Sequence, residues 1–423
     1  MGGGVSSMGF LDGYRVVDLT DVRGMLAGRV FADLGAEVVA VEPPTGGGEW
    51  PVSWARPEQW SVLSYNKKSV TCDAGRPEGR HLLDELCRGA DFLLLSGAPA
   101  ELEALDLGYE RLAKANPGLI YVTMSPFGLT GPKADYADSD LIVWAASGTL
   151  SRNRVGSRVP IRISSPLHGY FHGAVEAVAG ALLALAERAR SGRGQHVDIS
   201  FQNSMVFANM LQGLYPLVND VAAPPDQAVT IFPTVWRTSD GYVQFTLTTG
   251  PATGHFSNGF IRWMDEAGML PEEFAVFDWR DLPQTSGSGL SSSGSTLERF
   301  AAAGLDQAKR SRLEEAIRRF FLTLGTRDLL ASAHERRLLL SPIFSVADVY
   351  ANPHHAERGL WFSPEGPASD GPRLVGRFAR TVPDGFQDRG GPGEPGSANA
   401  DIYRRWVGLS DGDIEALRAN GVI

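Results

Sequence analysis

Residues 14–42 run YRVVDLTDVRGMLAGRVFADLGAEVVAVE. Tyr14–Asp18 carries the β-branched run of a strand, Gly24–Leu34 the apolar spacing of a helix, and Glu37–Glu42 a second strand. The stretch is a βαβ unit, and the pattern repeats outward from it. A strand is expected at Val70–Asp73, a helix at Arg80–Leu86, a strand at Asp91–Leu95, a helix near Glu110–Ala115 and a strand at Leu119–Thr123. Such alternation implies an α/β fold with a mostly parallel sheet and helices on both faces.

Farther along, Gly173–Arg190 is rich in Ala and Leu and is stopped by Gly192, as a buried helix with a glycine C-terminus should be. A segment starting at Asp198–Gln202 runs apolar to about Leu217 before Pro and Asp residues break it, so a domain boundary is expected near Pro224. Between Ala228 and Leu330 aromatic-rich strands with a hairpin turn at Ser239–Gly241 suggest a small α+β domain. Thr285–Thr296 is a Gly/Ser linker, and Ser410 with Asp413 three residues on signals a capped C-terminal helix. The expected organisation is a large domain over 1–220, a small one over 221–332, and a return to the large domain over 333–423.

A net charge of −10 leaves no broad basic face for a nucleic acid, although a small anion needs only a few local donors. The apolar run around Ala179–Ala186 falls short of the roughly 20 residues of a membrane span. Cys72 and Cys87 lack disulfide or metal spacing, and the Gly/Ser-rich opening lacks the pattern of a secretory signal, so the expectation is a cytoplasmic protein with reduced thiols.

Motifs for common chemistries do not match. The first turn reads Arg23-Gly24-Met25-Leu26-Ala27-Gly28, not the G-x-G-x-x-G of a dinucleotide site, so no nicotinamide cofactor is expected even though the second strand ends on Glu42. There is no H-E-x-x-H, C-x-x-C or G-x-S-x-G, and hence no expected metal or serine nucleophile. His168 and His172 lie four apart and share a face if the long helix extends back to them. Two such residues can ligate a cation or act as bases, or simply begin a helix with their hydrogen bonds satisfied.

An ordered set of segments carries more information: VVDLTDVRG (16–24), ADLGAEVVAVEPPTGGG (32–48), NKKSVTCD (66–73), RPEGR (76–80), LGYERLAKANPGLIYVTMSPFGLTGP (107–132), ERARSGRGQHVDIS (187–200), ADVYANPHHAERGLW (347–361) and LSDGDIEALRANGVI (409–423). Together they resemble the type III CoA-transferases, the CaiB/BaiF or formyl-CoA transferase family. The resemblance implies a Rossmann-like large domain built from both chain ends, a small middle domain and two interlocked subunits. It also implies coenzyme A and acyl-CoA as substrates, with CoA exchanged between carboxylic acids through a mixed anhydride on an aspartate.

That aspartate stands four residues before the glycine of the long Ala-rich helix. The helix glycine here is Gly173, so the matching residue is Gly169, which offers no carboxylate. The histidine that racemases of the family carry just before the residue matching Asp140 is Ser139 here. Expected CoA cations are replaced as well: Ser96–Ala100 stands for an Asn-Phe-Arg-Pro-Gly stretch, and Ala104 and Ala40 stand where an arginine and a lysine are expected. Val41, Glu42, Pro43, Asn66, Lys67 and Lys68 are retained, and the two lysines are the phosphate candidates, or else a solvated surface pair.

The resulting expectation is a non-catalytic subunit that forms a heterodimer with a paralogue bearing the aspartate. The alternatives are a homodimeric acyl-CoA isomerase, lyase or hydratase using His168 or His172, and a protein that only holds CoA.

Overall fold

The computed structural model describes residues 8–44, 57–153, 159–162, 166–210, 232–283, 294–364 and 373–423. The boundary at Pro224, the run to Leu217 and most of the Gly/Ser linker lie outside them. The first unit alternates β1 (Arg15–Leu19), α1 (Met25–Asp33), β2 (Glu37–Glu42), α2 (Pro57–Leu63), β3 (Lys68–Thr71), α3 (Pro77–Arg88), β4 (Phe92–Ser96), α4 (Pro99–Ala104), α5 (Tyr109–Ala115) and β5 (Ile120–Ser125). It continues through α6 (Asp140–Ala146), α7 (Thr149–Arg152), α8 (His168–Ser191), β6 (His196–Ser200) and α9 (Phe201–Ala208).

The six strands are parallel and ordered β3-β2-β1-β4-β5-β6. Successive side chains of a strand point to opposite faces, and both faces are covered here. Val16, Val38, Phe92 and Val122 pack with Phe31 of α1 and with Ala174, Ala177 and Ala181 of α8. Val17, Val39, Leu93 and Tyr121 pack with Leu82 and Leu86 of α3 and with Tyr403 and Trp406 near the chain end. The C-terminal residues complete this unit through Tyr403, whose hydroxyl donates to Thr71 O at 2.7 Å, and Asn399, whose Oδ1 accepts from Thr71 N at 2.8 Å.

α8 has the length and composition of a membrane span, but its small-residue stripe is packed as a core helix. The strand reading for Glu37–Glu42 matches residue for residue, and α8 reaches back to His168, farther than the expected start at Gly173.

The second unit comprises 154–160 and 214–355. Its sheet is antiparallel, with β7 (Val235–Arg237), β8 (Tyr242–Phe245) and β9 (Leu340–Pro342) in that order. The hairpin turn at 239–241 closes with Thr238 N donating to Gly241 O at 3.0 Å. Phe245, Phe260 and Phe321 are fully buried in its core. β9, past the expected return at 333, pairs with β8 of the second unit.

Candidate functional site

The retained motif residues serve the fold. Lys67 is completely buried, and its Nζ lies 2.8 Å from Asp18 Oδ2 and 2.7 Å from Met25 O. Asp18 Oδ1 accepts from Thr20 N at 3.0 Å and from its hydroxyl at 2.6 Å, so the pair is hydrogen-bonded on both sides. An ammonium so committed cannot meet a phosphate arriving from solvent, which corrects the expectation for Lys67. The glycine of the first helix has its reason here: a Cβ on Gly28 would stand 1.9 Å from Asp18 Oδ2.

Asn66 is likewise consumed, its Nδ2 donating to Asp33 Oδ1 at 2.5 Å and its Oδ1 accepting from Arg389 N at 2.7 Å. Glu42 is buried and accepts from Trp60 Nε1 and Ser69 Oγ, both at 2.6 Å. Burial pushes its carboxyl up to about 7, against the Ser69 and Trp60 hydrogen bonds that favour the ionised form. With both oxygens occupied, Glu42 does not face a ribose. Lys68 is partly exposed but bridges Glu37 at 3.0 Å and Asp401 at 2.9 Å. Val41 is buried and Pro43 is exposed. Of the six CoA candidates, Pro43 and Lys68 alone reach the surface of this unit to a useful extent.

The other expected site gathers at the start of α8. Gly169 is buried in the first turn, and its N–H donates to Asp140 Oδ1 at 2.8 Å. The N-cap residue Leu167 provides no side-chain cap, so Asp140, reaching across from α6, satisfies a helix-end donor in its place. A Cβ built on Gly169 would lie 3.0 Å from Val143 Cγ1, 3.2 Å from Asp140 Oδ1 and 3.6 Å from Met205 Cγ. The space in which a side chain would begin is therefore tight against α6 and in ordinary contact with α9.

His168 stacks on Trp144 with ring centroids 6.1 Å apart, and His172 is exposed, its ring edge-on to His168 at 6.4 Å. Among the described residues neither imidazole makes a hydrogen bond or an ion pair, so neither is oriented by a second group as a general base usually is. Among the described residues no three His, Cys, Asp or Glu side chains cluster as metal ligands. Burial pushes the Cys72 and Cys87 thiols up to about 12, which leaves them unreactive.

Sequence reasoning missed two residues. Asp140 shows in the sequence only as the residue after Ser139, and its partnership with Gly169 spans 29 positions. Arg23, directly after β1, bridges Asp21 at 2.6 Å and Glu101 at 2.8 Å, with Asp138 at 3.5 Å. Asp138 in turn accepts from the Tyr170 hydroxyl at 2.7 Å. Burial works against the Arg23 charge, but the Asp21 and Glu101 carboxylates outweigh it and raise its pKa further. A lone arginine in a turn gives no sequence signal of this kind.

Comparison with known proteins agrees with this architecture. The family model of CoA-transferase family III matches residues 11–272. A succinyl-CoA:(R)-benzylsuccinate CoA-transferase subunit, BbsE, of Thauera aromatica is 30% identical over 82% of each chain. A succinyl-CoA–D-citramalate CoA-transferase of Chloroflexus aurantiacus is 29% identical over 98% of each chain. In fold, a CaiB/BaiF family protein from Brucella suis superposes with a TM-score of 0.73 at 23% identity, covering 95% of this chain and 100% of that one. The match to the family model over more than half the chain, borne by a parallel sheet with both faces covered, shows that this chain belongs to CoA-transferase family III.

Proposed function

We propose that this chain is the non-catalytic subunit of a heteromeric acyl-CoA:carboxylic acid CoA-transferase, interlocked with a paralogue that supplies the nucleophilic aspartate. CoA thioesters are the substrate class of the family to which it belongs. In the transfer, a carboxylate oxygen attacks the thioester carbonyl and expels CoA as the thiolate, which leaves a mixed anhydride. The acceptor carboxylate then attacks the aspartyl carbonyl of the anhydride and expels the donor acid as its carboxylate, and the thiolate attacks the acceptor's carbonyl, forming the new thioester and freeing the aspartate. Glycine has no atom that can enter the first step.

The single observation that carries the reading is the packing at Gly169. Its N–H is taken by Asp140, and a Cβ there would crowd Val143 at 3.0 Å and Asp140 at 3.2 Å. Among the described residues, Val143 and Asp140 of α6 leave a side chain at this position little room without a shift. The relative from Thauera aromatica is itself named as a subunit of a transferase, which supports an assembly role. The named substrates of both relatives also favour a dicarboxylic acid as the acyl class.

Co-expression with an aspartate-bearing paralogue tests the assembly. A stable complex containing one copy of each chain is expected, whereas isolation of this chain only as a homodimer in the presence of such paralogues would count against it.

A further inference from the structure

The strand order of the first unit reverses between β1 and β4. In open α/β sheets the crevice beyond the carboxyl ends of two such strands is the place where ligands bind. Here the floor of that crevice is stitched by Asp21 and Ser96. Asp21 N donates to Ser96 Oγ at 2.9 Å, and the hydroxyl donates back to Asp21 Oδ1 at 2.8 Å. At the rim Arg23 comes from the β1 side and Glu101 from α4 on the β4 side.

The way Arg23 spends its donors is informative. Nε reaches Asp21 Oδ1 at 3.1 Å and Oδ2 at 2.8 Å, and Nη2 reaches Oδ2 at 2.6 Å, so one edge of the guanidinium is saturated by Asp21. The other edge, shared by Nη1 and Nη2, is the one that grips two oxygens of a carboxylate. It receives one oxygen of Glu101 at 2.8 Å and a long contact to Asp138 Oδ1 at 3.5 Å. Arg23 and Asp138 are each 13% exposed, whereas Glu101 is 58% exposed. Glu101 Oε2 also accepts from Ala98 N at 2.7 Å at the start of α4, but of the partners of Arg23 it is the one that lies at the surface, Asp21 being 15% exposed.

We infer that Arg23 is a carboxylate-binding residue for a small organic acid, and that Glu101 stands in for that acid's carboxylate until the acid displaces it. A bidentate carboxylate on the Nη1–Nη2 edge replaces the one full-strength bond that Glu101 makes there. With Glu101 turned away, Asp21 and Asp138 against Arg23 leave a local charge of about −1, so no net positive field draws an anion in, and the planar two-oxygen fit of a carboxylate to the Nη1–Nη2 edge carries the binding. The chemistry is therefore that of a carboxylate, not of a nucleotide phosphate.

The inference deepens the transferase reading, on which it rests, by giving the acid a binding residue that needs no nucleophile. Its test contains no CoA, so either claim can fail without the other.

The experiment is calorimetric titration of the full chain with succinate, and in a parallel arm with inorganic phosphate. Wild type, Glu101→Gln, Arg23→Gln and the double variant are compared, with circular dichroism melting as the check on folding. Glu101→Gln is expected to tighten succinate binding about tenfold, the effect of one displaced charge-assisted bond. The gain should vanish in the double variant, and phosphate should bind more weakly than succinate throughout. If the double variant does not fold, Arg23→Lys in the Glu101→Gln background serves instead, and should lose most of the gain because an ammonium lacks the planar fork. Succinate affinity indifferent to Glu101→Gln, a gain that survives loss of the Arg23 guanidinium, or phosphate binding as tight as succinate would each overturn the inference.

Discussion

The Asp140 carboxylate accepts the backbone N–H of Gly169 at 2.8 Å and lies 3.2 Å from where a Cβ of residue 169 would stand. This carboxylate caps the start of α8 in place of the N-cap side chain that Leu167 does not supply.

Gly169→Asp is accordingly expected to be an unfavourable reversion. The new Cβ presses on Val143, and the new carboxylate faces Asp140, with two like charges sharing a small space. Overpacking of this kind costs about 1–3 kcal/mol. Urea denaturation should show that loss, and the variant alone should remain without CoA exchange. Unchanged stability together with restored exchange would mean that the site is still open.

Lys67 and Lys68 should behave differently although they are adjacent. Lys67→Met leaves Asp18 buried without its cation and is expected to cost about 3–5 kcal/mol in stability. Lys68→Ala removes a partly exposed pair and should cost less than about 1 kcal/mol. Thermal and chemical unfolding check both. A Lys67 variant with native stability but lost CoA binding would restore the phosphate role that the geometry denies it.

Glu42 makes stability depend on pH. Its carboxyl is raised from 4.5 to about 7, so between those values the folded chain holds a proton that the unfolded chain has released. Stability contributed by this group is therefore fully present below pH 4.5 and falls as pH rises toward 7. Asp33, raised by burial against the pull of Arg29, acts in the same direction. Denaturation midpoints measured from pH 5 to 8 should fall less steeply in Glu42→Gln than in wild type. Equal slopes would show that Glu42 does not titrate in this window.

The fold is largely legible in the residues because its signals are local. The unbroken apolar run Val38–Val41 between two glutamates suffices to place β2, and Ser410 with Asp413 suffices to cap the last helix. The site is much less legible because its determinants are distant pairs. Nothing near Lys67 announces Asp18, 49 positions away, and nothing near Arg23 announces Glu101, 78 positions away. Conserved-looking lysines in NKK read as ligands until the sheet brings a buried carboxylate to one of them. The absence at Gly169 is visible in the sequence, whereas the closing of α6 over it depends on how α6, α8 and α9 pack.

The most direct test of the non-catalytic reading is exchange of labelled succinate into succinyl-CoA by the purified chain, alone and with an aspartate-bearing paralogue. No label should enter with the chain alone. Exchange should appear when the paralogue is present and disappear when the paralogue's aspartate is replaced by alanine. Rapid exchange by this chain alone, at a rate matching the mixed assembly, would contradict the account.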